Sequence, residues 1–114
     1  MSVVIYHNPR CSKSRQTLAL LEEKNIQPEI IKYLETPPTV PELKALYSQL
    51  GLNQVRDMMR IKEDIYKELN LADASDEKLF EAMSSNPKLI ERPIVVKNGQ
   101  AKHGRPPEQV LEIL

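Results

Sequence analysis

One cysteine, Cys11, is all the thiol in the 114 residues of this chain. A lone thiol excludes an intramolecular disulfide and any metal site built from cysteines alone. Histidine is nearly as scarce: His7 and His103 together with Cys11 are too few for a mixed His/Cys zinc cluster. Excess charge of either sign is missing, because 16 Lys+Arg meet 16 Asp+Glu. Without a global positive field nothing drives sequence-independent binding to nucleic acid, so any anion site must be local. No stretch approaches the roughly 18 apolar residues of a membrane span. The opening MSVVIYHNPR also lacks the apolar run of a signal peptide. These absences lead to the expectation of a cytoplasmic protein with its thiol kept reduced, and with neither nucleic acid nor membrane as a partner. If Cys11 reacts, another molecule must supply the reductant that restores it.

What is present is an ordinary soluble composition, 40% apolar and 28% charged. The length suits one domain, which buries roughly two thirds of the surface its unfolded chain exposes. Val3-Val4-Ile5-Tyr6 is a β-branched and aromatic run that reads as a buried strand. His7-Asn8-Pro9-Arg10 reads as a loop. From Ser12 to Lys24 the pattern turns helical, with Leu18 and Leu21 three apart and Ala19 and Leu20 adding width. Glu29 to Tyr33 reads as a second strand, which Thr36-Pro37-Pro38 stops.

The middle reads as helical. Thr39 and Glu42 fit a capping box, Leu43, Leu46, Tyr47 and Leu50 follow at helical spacing, and Gly51 sits where a C-terminal glycine belongs. Val55, Met58 and Met59 suggest a further short turn. Ile61, Ile65 and Leu69 predict one face of another helix. Ser75 or Asp76 caps a third, carrying Leu79, Phe80 and Met83. All four methionines suit core filling.

Pro93 to Val96 then reads as a strand, Asn98-Gly99 as a hairpin turn, and Gln100 to Lys102 as the return strand. Pro106-Pro107-Glu108 opens a last helix, with Val110, Leu111 and Leu114 as its buried face. Strand, helix, strand implies a parallel pair, and the hairpin adds antiparallel strands. The economical solution is an α/β, thioredoxin-like mixed four-stranded sheet with helices on it.

Cys11 falls between the first strand and the first helix. Free amides and the dipole at a helix N-terminus favour negative charge, and Arg10, Lys13 and Arg15 lie within four positions. Both influences lower a thiol from its reference of about 8.5 and raise the thiolate fraction. Ser12 and Ser14 offer hydroxyl donors to a thiolate or to a bound oxyanion, which the same amides can cradle. A buried structural cysteine sits in an apolar pattern, and Pro9, Arg10, Ser12, Lys13 and Ser14 are not one. Thr17 stands where a tyrosine-phosphatase loop requires Arg, and Ser14 takes the second position of a Cys-x-x-Cys pair. His7 has a polar reason to be near Cys11, as a tuning or structural group rather than a reacting one. Asn8 suits bracing of the loop through its side chain. His103 reads as an exposed hairpin residue.

Tyr6-His7-Asn8-Pro9-Arg10-Cys11-Ser12-Lys13-Ser14-Arg15-Gln16-Thr17-Leu18 resembles the active-site segment of the glutaredoxin-dependent arsenate reductases. The likeness continues through Tyr33-Leu34-Glu35-Thr36-Pro37, Met59-Arg60, Asn86-Pro87-Lys88-Leu89 and Glu91-Arg92-Pro93-Ile94. It ends at Gly104-Arg105-Pro106-Pro107-Glu108 and so covers essentially the whole chain. The resemblance implies one thioredoxin-like domain over residues 1–114 with a helical insertion at about 39–86. It implies that Cys11 is the catalytic nucleophile toward arsenate, that Arg60, Arg92 and Arg105 bind the oxyanion, and that His7, Asn8, Ser14 and Arg15 support the site.

It also implies glutathione as co-substrate and glutaredoxin as partner, with no tightly bound cofactor and no metal, in a protein expected to be monomeric. A guanidinium suits the arginine role, since it binds an oxyanion bidentately and stays charged. Without the resemblance, Arg60 in its helical stretch reads as a solvated side chain, and Arg56, four before it, is the second choice for the same face. One departure stands out: better-characterised members have Gly-Thr after the cysteine, where this chain has Ser12-Lys13, adding a Cβ and a charge.

Three other readings compete. One is a thiol reductase of another oxyanion or of a mixed disulfide. Another is a redox-related transcription regulator that binds RNA polymerase, although Ser14 removes the second thiol of a Cys-x-x-Cys switch. A monothiol glutaredoxin carries Cys-Gly-Phe-Ser, which Cys11-Ser12-Lys13-Ser14 does not match.

Overall fold

Alternating burial along the β-branched run Val3–Tyr6 makes it a strand, β1, with Val3 and Ile5 facing the core. A computed structural model describes residues 2–114; Met1, one of the four methionines, lies outside them. The first helix, α1, spans Ser12–Glu23, and the second strand, β2, spans Glu29–Ile31. β2 is shorter than the sequence predicts, because the N–H groups of Glu35 and Thr36 both turn back to the Lys32 carbonyl. β3 is Ile94–Lys97 and β4 is Gln100–His103. The hairpin between them places Asn98 at φ 59° and Gly99 at φ 79°, the left-handed pair that a type I′ turn demands.

The sheet order is β2-β1-β3-β4. β1 runs parallel to β2, with Ile5 opposite Ile30, and antiparallel to β3, with Ile5 opposite Val95. This is the mixed four-stranded, thioredoxin-like sheet. His103, opposite Ile94 in β4, is half-buried rather than exposed. No helix of the described residues is long and apolar enough to cross a membrane.

The chain divides into two compact units: residues up to Thr36 with Arg92–Leu114, and Pro37–Glu91. In the first, Val3, Ile5, Leu21, Val95 and Val110 form the core, with Leu18, Leu20, Ile26, Ile113 and Leu114 packed against it. Each fully buried side chain of this kind contributes about 1.5–3 kcal/mol. The buried face of α1 is Ser14, Thr17 and Leu21, while Ala19 is exposed. Two of its three inward positions are therefore polar, which apolar periodicity does not detect.

The last segment is a 3-10 helix, Pro107–Ile113, rather than an α-helix. Side chains three apart then stack on one face, so Pro107, Val110 and Ile113 turn inward and Leu111 is exposed.

In the second unit, Thr39 caps α2 (Val40–Leu50) with the reciprocal Glu42 contact, and Gly51 ends it at φ 67°. Ser75 caps α4 (Asp76–Ser85), which follows the five-residue α3 (Asp64–Glu68). Tyr47 of α2 meets Phe80 of α4 edge to face at 5.9 Å. Ile61 and Leu69 are exposed, so the predicted Ile61/Ile65/Leu69 face does not form. The buried residue of α3 is Tyr66, whose hydroxyl accepts the Nε–H of Arg56 at 3.0 Å. Arg56 Nη2 also donates to the carbonyls of Leu71, Ala72 and Ala74 at 2.7, 3.0 and 3.1 Å. Arg56 is thus a clamp across its own unit, with Nε and Nη2 committed to protein acceptors.

Candidate active site

The loop between β1 and α1 is held by its own polar groups. Asn8 Oδ1 accepts the Arg10 N–H at 3.0 Å, and the Asn8 carbonyl accepts the Cys11 N–H at 3.0 Å. Arg15 reaches back from α1 to donate to the Pro9 carbonyl at 3.1 Å. Ser14 Oγ accepts the Asn8 N–H at 3.0 Å and lies 2.7 Å from His7 Nδ1. Burial lowers the His7 pKa, and the charges of Lys32 and Arg15 lower it further. Both influences favour the neutral ring over the charged one. The Ser14 hydroxyl thus ties the Asn8 backbone and the His7 ring together within the loop. Ser12 sits in ordinary helical backbone, so the position needs no left-handed glycine conformation.

Cys11 is the N-cap residue of α1 and is 8% exposed. Its side chain makes no cap hydrogen bond of ordinary geometry, yet the N–H groups of Ser14 and Lys13 lie close enough to favour its thiolate. Burial is the largest single influence and pushes the thiol pKa up. The Ser14 N–H, the Arg92 charge, the Lys13 N–H and a hydrogen bond with the Arg92 side chain outweigh it together, and the net direction is down.

Arg92 opens the second segment of the first unit and precedes Pro93 through a cis bond. Arg105 Nη1 donates to the Arg92 carbonyl at 3.2 Å, and the Arg105–Pro106 bond is also cis. Two of the three predicted oxyanion arginines thus belong to the same unit as Cys11, one of them in contact with it. Arg60 belongs to the other unit. There its N–H donates to the Leu89 carbonyl at 2.7 Å, beside the Met59–Ile90 bridge. Its guanidinium faces the Glu63 carboxylate at 3.7 Å, a partner spaced three residues on.

Sequence reasoning missed Thr17 and Gly104. Thr17 is fully buried and its hydroxyl donates to the Lys13 carbonyl at 2.8 Å, one helical turn back. Gly104 donates its N–H to the Pro93 carbonyl at 3.0 Å and lies against Thr17 and Pro93 so closely that a Cβ there would overlap both. That approach seats the Arg105 loop beside Arg92. The signal was faint: a lone glycine ahead of Arg105-Pro106, with nothing in the sequence to say what it touches.

A buried thiolate at a helix N-terminus, with a guanidinium on it and a second one tied alongside, can bind an oxyanion and attack its central atom. Comparison with known proteins points the same way. The ArsC family model matches residues 6–113. The chain is 58% identical over 116 residues to the arsenate reductase of Haemophilus influenzae, covering 100% of both chains. It is 62% identical over 114 residues to YfgD of Escherichia coli, covering 98% of this chain and 96% of that one. A solved structure of an arsenate reductase from Vibrio cholerae superposes with a TM-score of 0.98 at 74% identity, covering 100% of this chain and 98% of the other.

Proposed function

The chain belongs to the ArsC family, and on that premise we propose that it is an arsenate reductase whose nucleophile is Cys11 and whose oxyanion ligands are Arg60, Arg92 and Arg105. The observation that carries the reading is the lowered Cys11 thiol at the α1 N-terminus, in contact with Arg92, to which Arg105 is tied. The thiolate attacks arsenic, a sulfur–arsenic bond forms, and one arsenate oxygen leaves as water after taking up protons. Arsenic is still pentavalent at this point. Guanidinium groups suit the step because they hold an oxyanion of about two negative charges and stabilise charge as the bond forms.

Reduction needs two electrons, and Cys11 is the chain's only sulfur nucleophile. External thiols, glutathione and glutaredoxin, therefore attack the adduct and end as a disulfide, while arsenite leaves and Cys11 returns as thiolate. One arsenate and two thiols give one arsenite, one disulfide and one water. In this reading the protein works as a cytoplasmic monomer with no resident cofactor. The test is arsenite release from arsenate with glutathione and glutaredoxin, wild type against Cys11→Ser. Turnover in the wild type that the serine variant loses is expected. A wild type that releases no arsenite would overturn the proposal in favour of another oxyanion or a mixed disulfide as substrate.

A further inference from the structure

In the proposed reaction a chain with one cysteine receives its reducing thiol from outside, and a cleft lies beside the Cys11 loop. Its volume is about 340 Å³ and it is lined by His7, Asn8, Pro9, Arg10, Lys32, Leu34 and Glu35. Small-molecule sites occupy roughly 300–1,000 Å³, so the size suits a short peptide rather than a bare anion. The place is informative. β1 ends at Tyr6 and the parallel β2 at Ile31, and the His7 N–H bonds the Ile31 carbonyl at 2.8 Å, so the cleft lies just beyond the carboxyl ends of two parallel strands. Open α/β sheets bind ligands in that crevice. One wall is residues 7–10, which run directly into Cys11 and share with it the Asn8 carbonyl. The wall is preorganised by Asn8 Oδ1 on the Arg10 N–H and by Arg15 on the Pro9 carbonyl, so little ordering cost falls on an arriving ligand.

The charges define the ligand class. Arg10 and Lys32 supply two cations, Glu35 supplies one carboxylate, and Pro9 and Leu34 add apolar surface. Leu34 is exposed, although its side chain is large and apolar. The complementary molecule carries two carboxylates, one ammonium and a short aliphatic body. We propose that this cleft docks the reducing co-substrate as a dicarboxylate peptide thiol of that pattern, with its carboxylates on Arg10 and Lys32 and its ammonium on Glu35. The proposal rests on the arsenate-reductase reading, for which it names the seat of the thiol. Lys32 already shapes the electrostatics of the Cys11 loop, since its charge reaches His7.

The probe is S-methylglutathione, which has the charge pattern and no free thiol, titrated into the wild-type protein while backbone amide resonances are followed by NMR. Shifts confined to His7, Asn8, Arg10, Lys32, Leu34 and Glu35 are expected. Lys32→Glu should weaken binding at least fivefold and Glu35→Gln about twofold, whereas Lys24→Glu, an equal charge change at the end of α1, should leave it unchanged. Shifts elsewhere, a Lys32→Glu affinity equal to wild type, or equal shifts with sulfate at matched ionic strength would overturn the proposal. The probe reduces nothing, so the readout is independent of arsenate turnover. Absent shifts in a protein that makes arsenite would refute the cleft alone, and cleft binding in a protein that makes none would refute the substrate alone.

Discussion

Gly104→Ala is the most telling single change in the first unit. A Cβ at this position would overlap Thr17 Oγ1, and would lie 2.8 Å from Pro93 Cγ and 3.0 Å from Thr17 Cγ2. None of these atoms is the far end of a flexible side chain. Thr17 is fully buried on α1, and Pro93 is buried immediately before β3. Forcing extra volume into a packed site costs about 1–3 kcal/mol. Thr17 can yield only by releasing its hydroxyl from the Lys13 carbonyl, which adds about 0.5–1.5 kcal/mol.

The expected loss is therefore about 2–4 kcal/mol, or a fall in Tm of roughly 10 °C or more for a domain of this size. Urea denaturation followed by circular dichroism measures it. The same substitution made in a Thr17→Ala background removes both threonine clashes and leaves only Pro93, so its cost should drop by at least about 1 kcal/mol through direct coupling. A Gly104→Ala protein within 0.5 kcal/mol of wild type, or an equal cost in both backgrounds, would refute the packing reasoning.

Further outcomes follow from the geometry. Iodoacetamide alkylation of Cys11 against pH should show a midpoint below the reference of about 8.5 for free cysteine, and Arg92→Gln should move it up; a midpoint at or above the reference would refute the activated thiolate. Because folding depresses this thiol's pKa, the associated stability is present above the unfolded value and is lost as pH falls through the folded one. Arg56→Lys keeps the charge but cannot serve the Tyr66 hydroxyl and the Leu71, Ala72 and Ala74 carbonyls together. It should cost about 2–3 kcal/mol in thermal denaturation, and a change under 0.5 kcal/mol would show that the clamp is not needed.

Short-range physics was readable along the chain. The Thr39–Glu42 box, the Gly51 stop, the Ser75 cap and the Asn98-Gly99 turn each depend on residues within four positions, and each forms as the sequence predicts. So does the placing of Cys11 at a helix start. The misreadings have a common origin. Ile61 and Leu69 fit a helical period, but Tyr66 takes the inward position, where its hydroxyl accepts the Nε–H of Arg56, ten residues earlier. Leu111 fits an α-helical face, but the segment winds as a 3-10 helix and the inward set becomes Pro107, Val110 and Ile113.

The sequence by itself determined the lone cysteine, its place at a helix N-terminus and the order of elements, because these follow from counting and from neighbours along the chain. Only the tertiary structure decided which cation touches the sulfur and why Gly104 admits no side chain. Those facts depend on groups about eighty to ninety positions apart along the chain, and a one-dimensional pattern carries no record of who meets whom.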